Sequence, residues 1–351
     1  MLNLYSAQIE HLSIHSVGNK SRNENYFLSK DPFTVDDELM PLLKEYFFKP
    51  FRDKEENYYQ FKHEADLEFH DLYQMIRKGF NNPLELHDIS KQITKYLFEQ
   101  SKHQHIKSGE VYVTYLENVL VDNQKVEAIG IFKSELKHDF LQFDKNQDNL
   151  KPRLEQGVHL NKLDKGALIL NVEKETGYKV LSIDSNKYDT KYWLEEFLGI
   201  DFFADENFYT KKYLKFCENF AKDVVRPAED KQQEMMFMNK AVNHFASNED
   251  FEETKFLNEV LDNPQLHPEF VNYKTEKAPK YSLEDTSNFP ISNTAVTSAR
   301  KKMKNVINLD TNVQIKMDFV NSDTAEKYIE KGWDEDRQMY YYLVYFNKEE
   351  Q

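Results

Sequence analysis

The stretch that most constrains the fold of this chain is an amphipathic pattern within residues 191–225. Its apolar side chains recur at spacings of three and four residues, which brings them onto one face of an α-helix. They are Tyr209, Tyr213, Phe216, Cys217, Phe220, Ala221 and Val224. Strand patterns precede this stretch and helical patterns follow it. We therefore expect it to connect two halves of the protein.

Both ends of this helix have residues that are typical of helix termini. Asp205 occupies the N-cap position, where a side-chain oxygen accepts a hydrogen bond from a free backbone N–H. Glu206 follows in the first turn, where the helix dipole favours a negative charge. Because proline cannot continue a helix, Pro227 after Arg226 predicts its end.

The composition limits the classes of function. The 351 residues are 40% hydrophobic, which indicates a globular protein large enough for two domains. Forty-six basic and 61 acidic residues give a formal net charge of −15, so any DNA contact must come from a local basic patch. The single cysteine, Cys217, allows neither an intrachain disulfide nor a thiolate metal cluster. Without a signal-peptide pattern or a long apolar run, a cytoplasmic protein with no membrane partner is expected.

The N-terminal half is predicted to combine helices with an antiparallel sheet. Helical spacing predicts helices over residues 35–51, 67–80 and 86–100. Period-two alternation predicts an opening strand in residues 4–17, a hairpin over 109–135 and a second strand pair within 158–185. The polar stretch 138–157 predicts a loop or a short helix. Since the turns are short, the sheet should be antiparallel.

The C-terminal half is predicted to be helical and partly stranded. The predicted helices cover residues 228–245, 251–262 and 293–305, and a polar loop covers 274–288. A strand is predicted over 313–320, and a closing hairpin has arms 325–331 and 339–346 around a turn at 332–334.

Together these patterns predict an α+β fold. It has an N-terminal antiparallel sheet with helices, a central amphipathic helix, and a helical and partly stranded C-terminal half. The predicted N-terminal domain covers residues 1–190 and the predicted C-terminal domain covers 228–351, with 191–227 as the connecting helix segment.

The sequence gives no indication of catalysis, of a cofactor or of a metal site. The histidines that could suggest metal ligands lack cysteine partners and carboxylates at ligand spacing. They are His63, His70, His103, His105, His138 and His159. No glycine-rich phosphate-binding loop and no serine nucleophile motif is present. We therefore predict a non-enzymatic protein.

One concentrated basic cluster lies near the C-terminus. Arg300, Lys301, Lys302 and Lys304 fall within five residues of a predicted helix, and Lys316 lies on the predicted strand that follows. Cations spaced in this way can neutralise successive phosphates of a DNA duplex. The competing interpretation is a solvated face of a surface helix.

A second, weaker basic patch lies on the outer face of the central helix. It consists of Lys211, Lys212 and Lys215. Salt bridges across the helix surface are the competing interpretation, and the stronger one.

An ordered set of short blocks gives the chain a resemblance to a known family. The blocks are the hairpin 109–135, the strand pair 159–183, EFLG at 196–199, residues 211–225, FVNYK at 270–274, FPI at 289–291, KNVINLD at 304–310 and VQIKMDF at 313–319. In this order they resemble the bacterial nucleoid-associated protein family of the NdpA/YejK type. The resemblance spans nearly the whole chain.

Membership in that family implies a nucleoid protein of the cytoplasm that associates with double-stranded DNA and has no established enzymatic activity. It also implies a partnership with type II topoisomerase subunits. Since two-fold assemblies are the commonest oligomers, a homodimer is expected.

Three hypotheses of function follow. The leading one is a non-enzymatic protein that binds double-stranded DNA largely without sequence specificity through the basic residues named above. The alternative is an acidic protein-interaction module that a partner such as a type II topoisomerase recruits to the nucleoid. A metal-dependent nuclease is the third.

Overall fold

The computed structural model describes residues 2–34, 36–52, 57–146, 149–185, 191–228, 230–261, 263–284, 286–303, 305–316 and 329–348. The chain divides into two compact units, of which unit 1 ends at Phe203 and unit 2 begins at Ala204. This division falls inside the predicted connecting segment 191–227. Residues up to 203 belong to the sheet unit, and the amphipathic helix belongs to the helical unit.

Unit 1 is built on an antiparallel sheet. The strands of unit 1 are β1 (Leu2–Asn3), β2 (Gln8–Val17), β3 (Phe27–Leu28), β4 (Tyr59–Phe61), β5 (Gly109–Val121), β6 (Gln124–Ser134), β7 (Lys137–Asn146), β8 (Asn149–Val158), β9 (Lys165–Leu170), β10 (Lys179–Asp184) and β11 (Ile200–Phe202). The main sheet has the order β11-β4-β10-β9-β6-β5-β2-β3, with β1 also paired to β5, while β7 and β8 form a separate two-stranded sheet. The predicted α+β fold with an N-terminal antiparallel sheet is confirmed.

Helices cover both faces of this sheet. They are α1 (Leu39–Arg52), α2 (Asp71–Asn81) and α3 (Leu86–Gln100). One core contains α2, α3 and the π-helical turn Tyr192–Leu198, packed on side chains such as Val111 and Val113 of β5. The other core contains α1, packed on Tyr112 of the same strand. Because both faces are buried, β9 is apolar almost throughout instead of alternating.

A cluster of buried charged side chains lies near one end of the neighbouring strands β6, β9 and β10. The ammonium of Lys133 lies 2.8 Å from the carboxylate of Glu135, and that of Lys165 lies 2.8 Å from the carboxylate of Asp184. Both lysines are fully buried, and the ring of Tyr192 lies within 6 Å of each ammonium. Burial lowers the pKa of Lys133, although Glu135 opposes that shift. The sequence pattern gave no sign of this cluster.

The predicted hairpin over residues 109–135 is confirmed, since β5 and β6 pair antiparallel up to Val121 opposite Gln124. Asp122 and Asn123 both have positive φ, 48° and 66°, which matches the mirror-image turn that suits the twist of a two-residue hairpin. The second predicted pair is also present as β9 and β10, which run antiparallel from Lys179 opposite Leu170 to Asp184 opposite Lys165.

The prediction of a loop or short helix over residues 138–157 is wrong. This stretch forms the β7–β8 hairpin, in register from Lys137 opposite Val158 to Asn146 opposite Asn149. In β8 the apolar residues Leu150, Pro152 and Leu154 alternate with charged residues at period two, but both faces of the hairpin are exposed to solvent. Overall polarity therefore concealed the strand pattern.

Unit 2 is mainly helical. Its elements are α4 (Glu206–Phe220), α5 (Arg226–Ala228), α6 (Lys231–Ser247), β12 (Asp250–Glu252), α7 (Glu253–Val260), α8 (Leu266–Tyr281), β13 (Asn288–Pro290), α9 (Asn293–Lys302), β14 (Val306–Asn308), β15 (Gln314–Lys316), β16 (Ile329–Asp334) and β17 (Met339–Val344). The helix α4 is the predicted amphipathic helix, with Tyr213, Phe216 and Phe220 in the core. Pro227 does not end the helical path, because a wider π turn over Ala221–Val225 precedes it and places it in the first turn of α5.

Two further predictions in unit 2 are corrected. The helix α8 covers much of the predicted loop 274–288, because Tyr273, Ala278 and Tyr281 pack into the core and Pro279 lies in the last turn. The closing hairpin turns after Asp334 and not at 332–334, since Trp333 pairs with Tyr340. Of the predicted strand 313–320, Gln314–Lys316 is a strand, and residues 317–320 lie outside the described part of the chain.

Asp205 caps α4, as its position in the sequence predicted. Its Oδ1 accepts a hydrogen bond of 2.8 Å from the N–H of Phe208. Replacing Asp205 by alanine should lower the free energy of unfolding by about 1 kcal/mol, because this N–H loses its acceptor. Asp205→Asn keeps an acceptor and should cost much less. Thermal unfolding of the two variants would measure the difference, and equal losses would show that the cap does not act through this hydrogen bond.

Candidate nucleic-acid interface

The predicted basic cluster lies at the C-terminal end of α9. Ser292 begins this helix, since its Oγ accepts a hydrogen bond from the N–H of Ala295. The N–H of Ser292 in turn donates to Oγ1 of Thr210 in α4, at 3.0 Å. Ala295 and Val296 are buried. One face of α9 is therefore held on the core, and its last turn extends toward solvent.

Three cations occupy that last turn. Arg300, Lys301 and Lys302 are all exposed. Arg300 donates a hydrogen bond of 3.0 Å to Oδ1 of Asn243 in α6, which orients the guanidinium without neutralising it. Within the described residues, neither Arg300 nor Lys301 forms an ion pair with an acidic side chain. Their positive charge thus remains available to a ligand.

Lys316 joins the same region through strand pairing. The Cα of Lys316 in β15 lies opposite that of Val306 in β14. Val306 follows Lys302 by only four residues along the chain, so this pairing brings Lys316 near the end of α9. Its side chain is exposed. Lys304 lies outside the described residues. We call Arg300, Lys301, Lys302 and Lys316 the basic helix end.

The local charge balance differs from that of the whole chain. Residues 293–316 contain five basic side chains and one acidic side chain, Asp310, in a protein with a formal net charge of −15. A helix C-terminus contributes only about half a negative charge. The three cations of the last turn therefore exceed what the helix dipole can neutralise.

Sequence reasoning missed two residues of α6 beside this end. Asn243 binds Arg300, and Lys240 lies three residues earlier in α6, on the same side of that helix. No pattern in the sequence shows that α6 and α9 are neighbours. Only helix packing reveals it, together with the contact between Asn239 in α6 and Asn305 after α9.

The second predicted patch, on α4, has a different environment. The ammonium of Lys215 lies 2.7 Å from the carboxylate of Glu218, which Lys222 also contacts. Lys212 is half-buried over the ring of Phe208, at 5.3 Å, and burial lowers its pKa. Lys211 is half-buried as well. These lysines are therefore weaker candidates for phosphate contact than the basic helix end.

Of the six candidate histidines, His70 is buried and the other five are exposed. His70 caps α2 by accepting from the N–H of Tyr73, and its Nε2 lies 3.0 Å from the carbonyl oxygen of Gly199. His138 and His159 lie 5.1 Å apart between ring centroids. In the part of the chain that the structure describes, no group of three or more His, Cys, Asp or Glu side chains could hold a metal ion.

Unit 1 contains a small cavity. It encloses about 190 Å³ and is lined by residues that include Tyr73, Arg77, Lys174 and Tyr178. Typical small-molecule sites measure about 300–1,000 Å³. This cavity is smaller, so it is a poorer candidate than the basic helix end.

No helix among the described residues combines the length and apolar content needed to cross a membrane. Among curated proteins, no relative matches the chain. A family model described as nucleoid-associated protein YejK matches residues 13–340, which is nearly the entire chain and includes the basic helix end. The chain therefore belongs to this family of nucleoid-associated proteins.

Proposed function

We propose that this nucleoid-associated protein is non-enzymatic and binds double-stranded DNA directly, largely without sequence specificity, through the basic helix end. The observation that supports the proposal most strongly is the exposure of Arg300, Lys301 and Lys302 in the last turn of a helix whose opposite face is buried. A rigid support of this kind presents the three cations together to a polyanion.

The chemistry favours phosphate contacts over base contacts. A DNA duplex has one negative charge per about 1.7 Å of its axis, so neighbouring cations can each meet a phosphate. Such contacts fix the position of a protein on DNA but read no sequence. The acidic remainder of the protein repels DNA, which confines binding to the basic helix end.

The triple variant Arg300→Gln, Lys301→Gln, Lys302→Gln tests this proposal. It should weaken binding to a mixed-sequence duplex by at least about tenfold at low salt. Each phosphate contact contributes about 0.9 to the slope of the logarithm of affinity against the logarithm of salt concentration, so the slope should fall by about three. Fluorescence anisotropy at several salt concentrations would measure both quantities.

A matched control removes the same charge elsewhere in unit 2. Lys215, Lys222 and Lys277 each lie in an ion pair with a glutamate. Replacing these three by glutamine changes the net charge equally but should leave the affinity within about threefold of the wild type, since paired lysines release few counterions. Equal losses in the two triple variants would show that net charge matters and that the basic helix end is not the site.

A second candidate function is recruitment through a protein partner such as a type II topoisomerase. The β16–β17 hairpin favours it, because Trp333, Tyr340 and Phe346 are exposed there and aromatic residues are enriched in protein interfaces. In this case purified protein would fail to bind naked duplex but would bind purified topoisomerase subunits. Tyr340→Ala should then weaken that binding, whereas the glutamine variants of α9 should not.

A further inference from the structure

The β7–β8 hairpin has two chemically different faces. In an antiparallel pair, directly opposed residues point to the same side. One side presents Leu141 opposite Leu154 and Phe143 opposite Pro152, followed by Leu150. The other side presents Arg153 with its ion-pair partners Asp144 and Glu155. We call the first side the apolar arm face.

The apolar arm face is open to solvent. Phe143 is 57% exposed and Leu154 is 63% exposed, although a monomer gains nothing from such a surface. The hairpin connects β6 to β9 but pairs with no other strand of the described chain. An isolated two-stranded ribbon is marginally stable in water, so a covering surface would stabilise it.

We propose that the apolar arm face binds the same face of a second copy of this chain, with the two hairpins antiparallel. The order of residues along β7 is self-complementary about Gln142. Leu141 and Phe143 flank it by one residue, and Asp139 and Lys145 flank it by three on the same face. A two-fold axis that lies in the interface at the level of Gln142, perpendicular to the strands, therefore places Leu141 against Phe143 of the second copy, and Asp139 against Lys145.

Charge argues for this occupant over DNA. Residues 137–158 contain four basic and four acidic side chains, so the arm has no formal net charge. Arg153, which could otherwise contact a phosphate, is already paired with acids on the opposite face. The arm therefore offers little positive charge to bind DNA. The same face of a second copy is complementary to it, because the apolar residues would meet at the centre and ion pairs would form at both ends.

The size of the face sets the strength of the dimer. A ten-residue ribbon is about 34 Å long. One face of a two-stranded ribbon offers roughly 350 Å² per copy, below the roughly 800 Å² of a standard interface, so we expect a weak dimer with a dissociation constant in the micromolar range. The inference is independent of the proposed DNA binding.

Sedimentation velocity of the full chain from about 1 to 200 µM tests the proposal. The wild type should shift from monomer to dimer across this range. Phe143→Asp should raise the dissociation constant at least about tenfold, because it buries a charge where an aromatic ring packed. Phe140→Asp is the matched control: Phe140 is equally exposed, 52%, on the opposite face, and its replacement should leave the dimer intact.

A charge exchange tests the antiparallel geometry. Asp139→Lys alone and Lys145→Asp alone should each weaken the dimer, and the double variant should restore it to within about threefold of the wild type. A wild type that stays monomeric at 200 µM would overturn the proposal, as would a Phe143→Asp variant that still dimerises. Weaker duplex binding by Phe143→Asp in a monomeric protein would instead assign the arm to DNA. Circular dichroism confirms that each variant is folded.

Discussion

Replacing Glu135 by glutamine should lower the free energy of unfolding of this protein by about 3–5 kcal/mol, because it leaves a buried lysine without its carboxylate. The ammonium of Lys133 is fully buried and lies 2.8 Å from Glu135. Its other hydrogen bond is to the carbonyl oxygen of Lys107, at 2.7 Å, which carries no compensating charge. Chemical denaturation followed by circular dichroism would measure the loss.

The pH dependence of this loss provides a second test. Burial lowers the pKa of Lys133 below its ordinary value of 10.5, and removal of Glu135 should lower it further. Between the folded pKa and 10.5, the unfolded chain binds more protons than the folded protein, so stability rises with pH. The difference in free energy of unfolding between the wild type and Glu135→Gln should therefore become smaller as the pH is raised toward 10.

Two controls isolate the buried pair. The double variant Lys133→Met, Glu135→Leu removes both charges and should recover most of the stability. Glu99→Gln breaks the Lys20–Glu99 ion pair, in which both side chains are about half exposed, and should cost less than about 1 kcal/mol. A loss for Glu135→Gln as small as that for Glu99→Gln would mean that solvent reaches Lys133.

Replacing Phe251 by alanine should destabilise unit 2 by about 3–5 kcal/mol through the cavity it leaves. Its fully buried ring lies 4.2 Å from the ring of Tyr213, 4.8 Å from that of Phe289 and 5.1 Å from that of Phe245, between centroids. Phe251 thus joins α4, α6 and β13, and the space cannot close without moving all three.

Limited proteolysis across a denaturant series would follow the unfolding of unit 2. Phe346→Ala, in the same unit but at an exposed position, should change stability by less than about 0.5 kcal/mol. Phe251→Leu should fall between the two, because leucine refills part of the volume. If Phe251→Ala left the stability of unit 2 unchanged, the packing of α4, α6 and β13 would not require this ring.

Local patterns predicted the elements that bury one regular face. The helix α4, its Asp205 cap and the β5–β6 turn follow from spacing and side-chain chemistry that act within a few residues. The β7–β8 hairpin and the second half of α8 were missed for a shared reason. Polarity and proline in a sequence favour a loop, although an exposed ribbon and the last turn of a helix both accept them.

Local sequence patterns were also insufficient to predict the whole of the candidate site. The sequence identified Arg300, Lys301 and Lys302 by their proximity along the chain and ranked the patch with Lys215 as weaker, but it could not show that Glu218 pairs with Lys215. It also gave no sign of Asn243, which lies 57 residues from Arg300. Ion pairs and hydrogen bonds between distant residues depend on packing that one-dimensional spacing does not encode.

By itself, the sequence determined the α+β class, the family resemblance and the position of the basic cluster, because composition, periodicity and local charge are properties of neighbouring residues. Only the tertiary structure decided which lysines of α4 are held in ion pairs, that Lys133 and Lys165 are buried, and that an apolar ribbon is exposed. The pairing, the burial and the exposure of these side chains all depend on which residues distant in the sequence shield them from water. Those contacts form only when the helices and strands pack together.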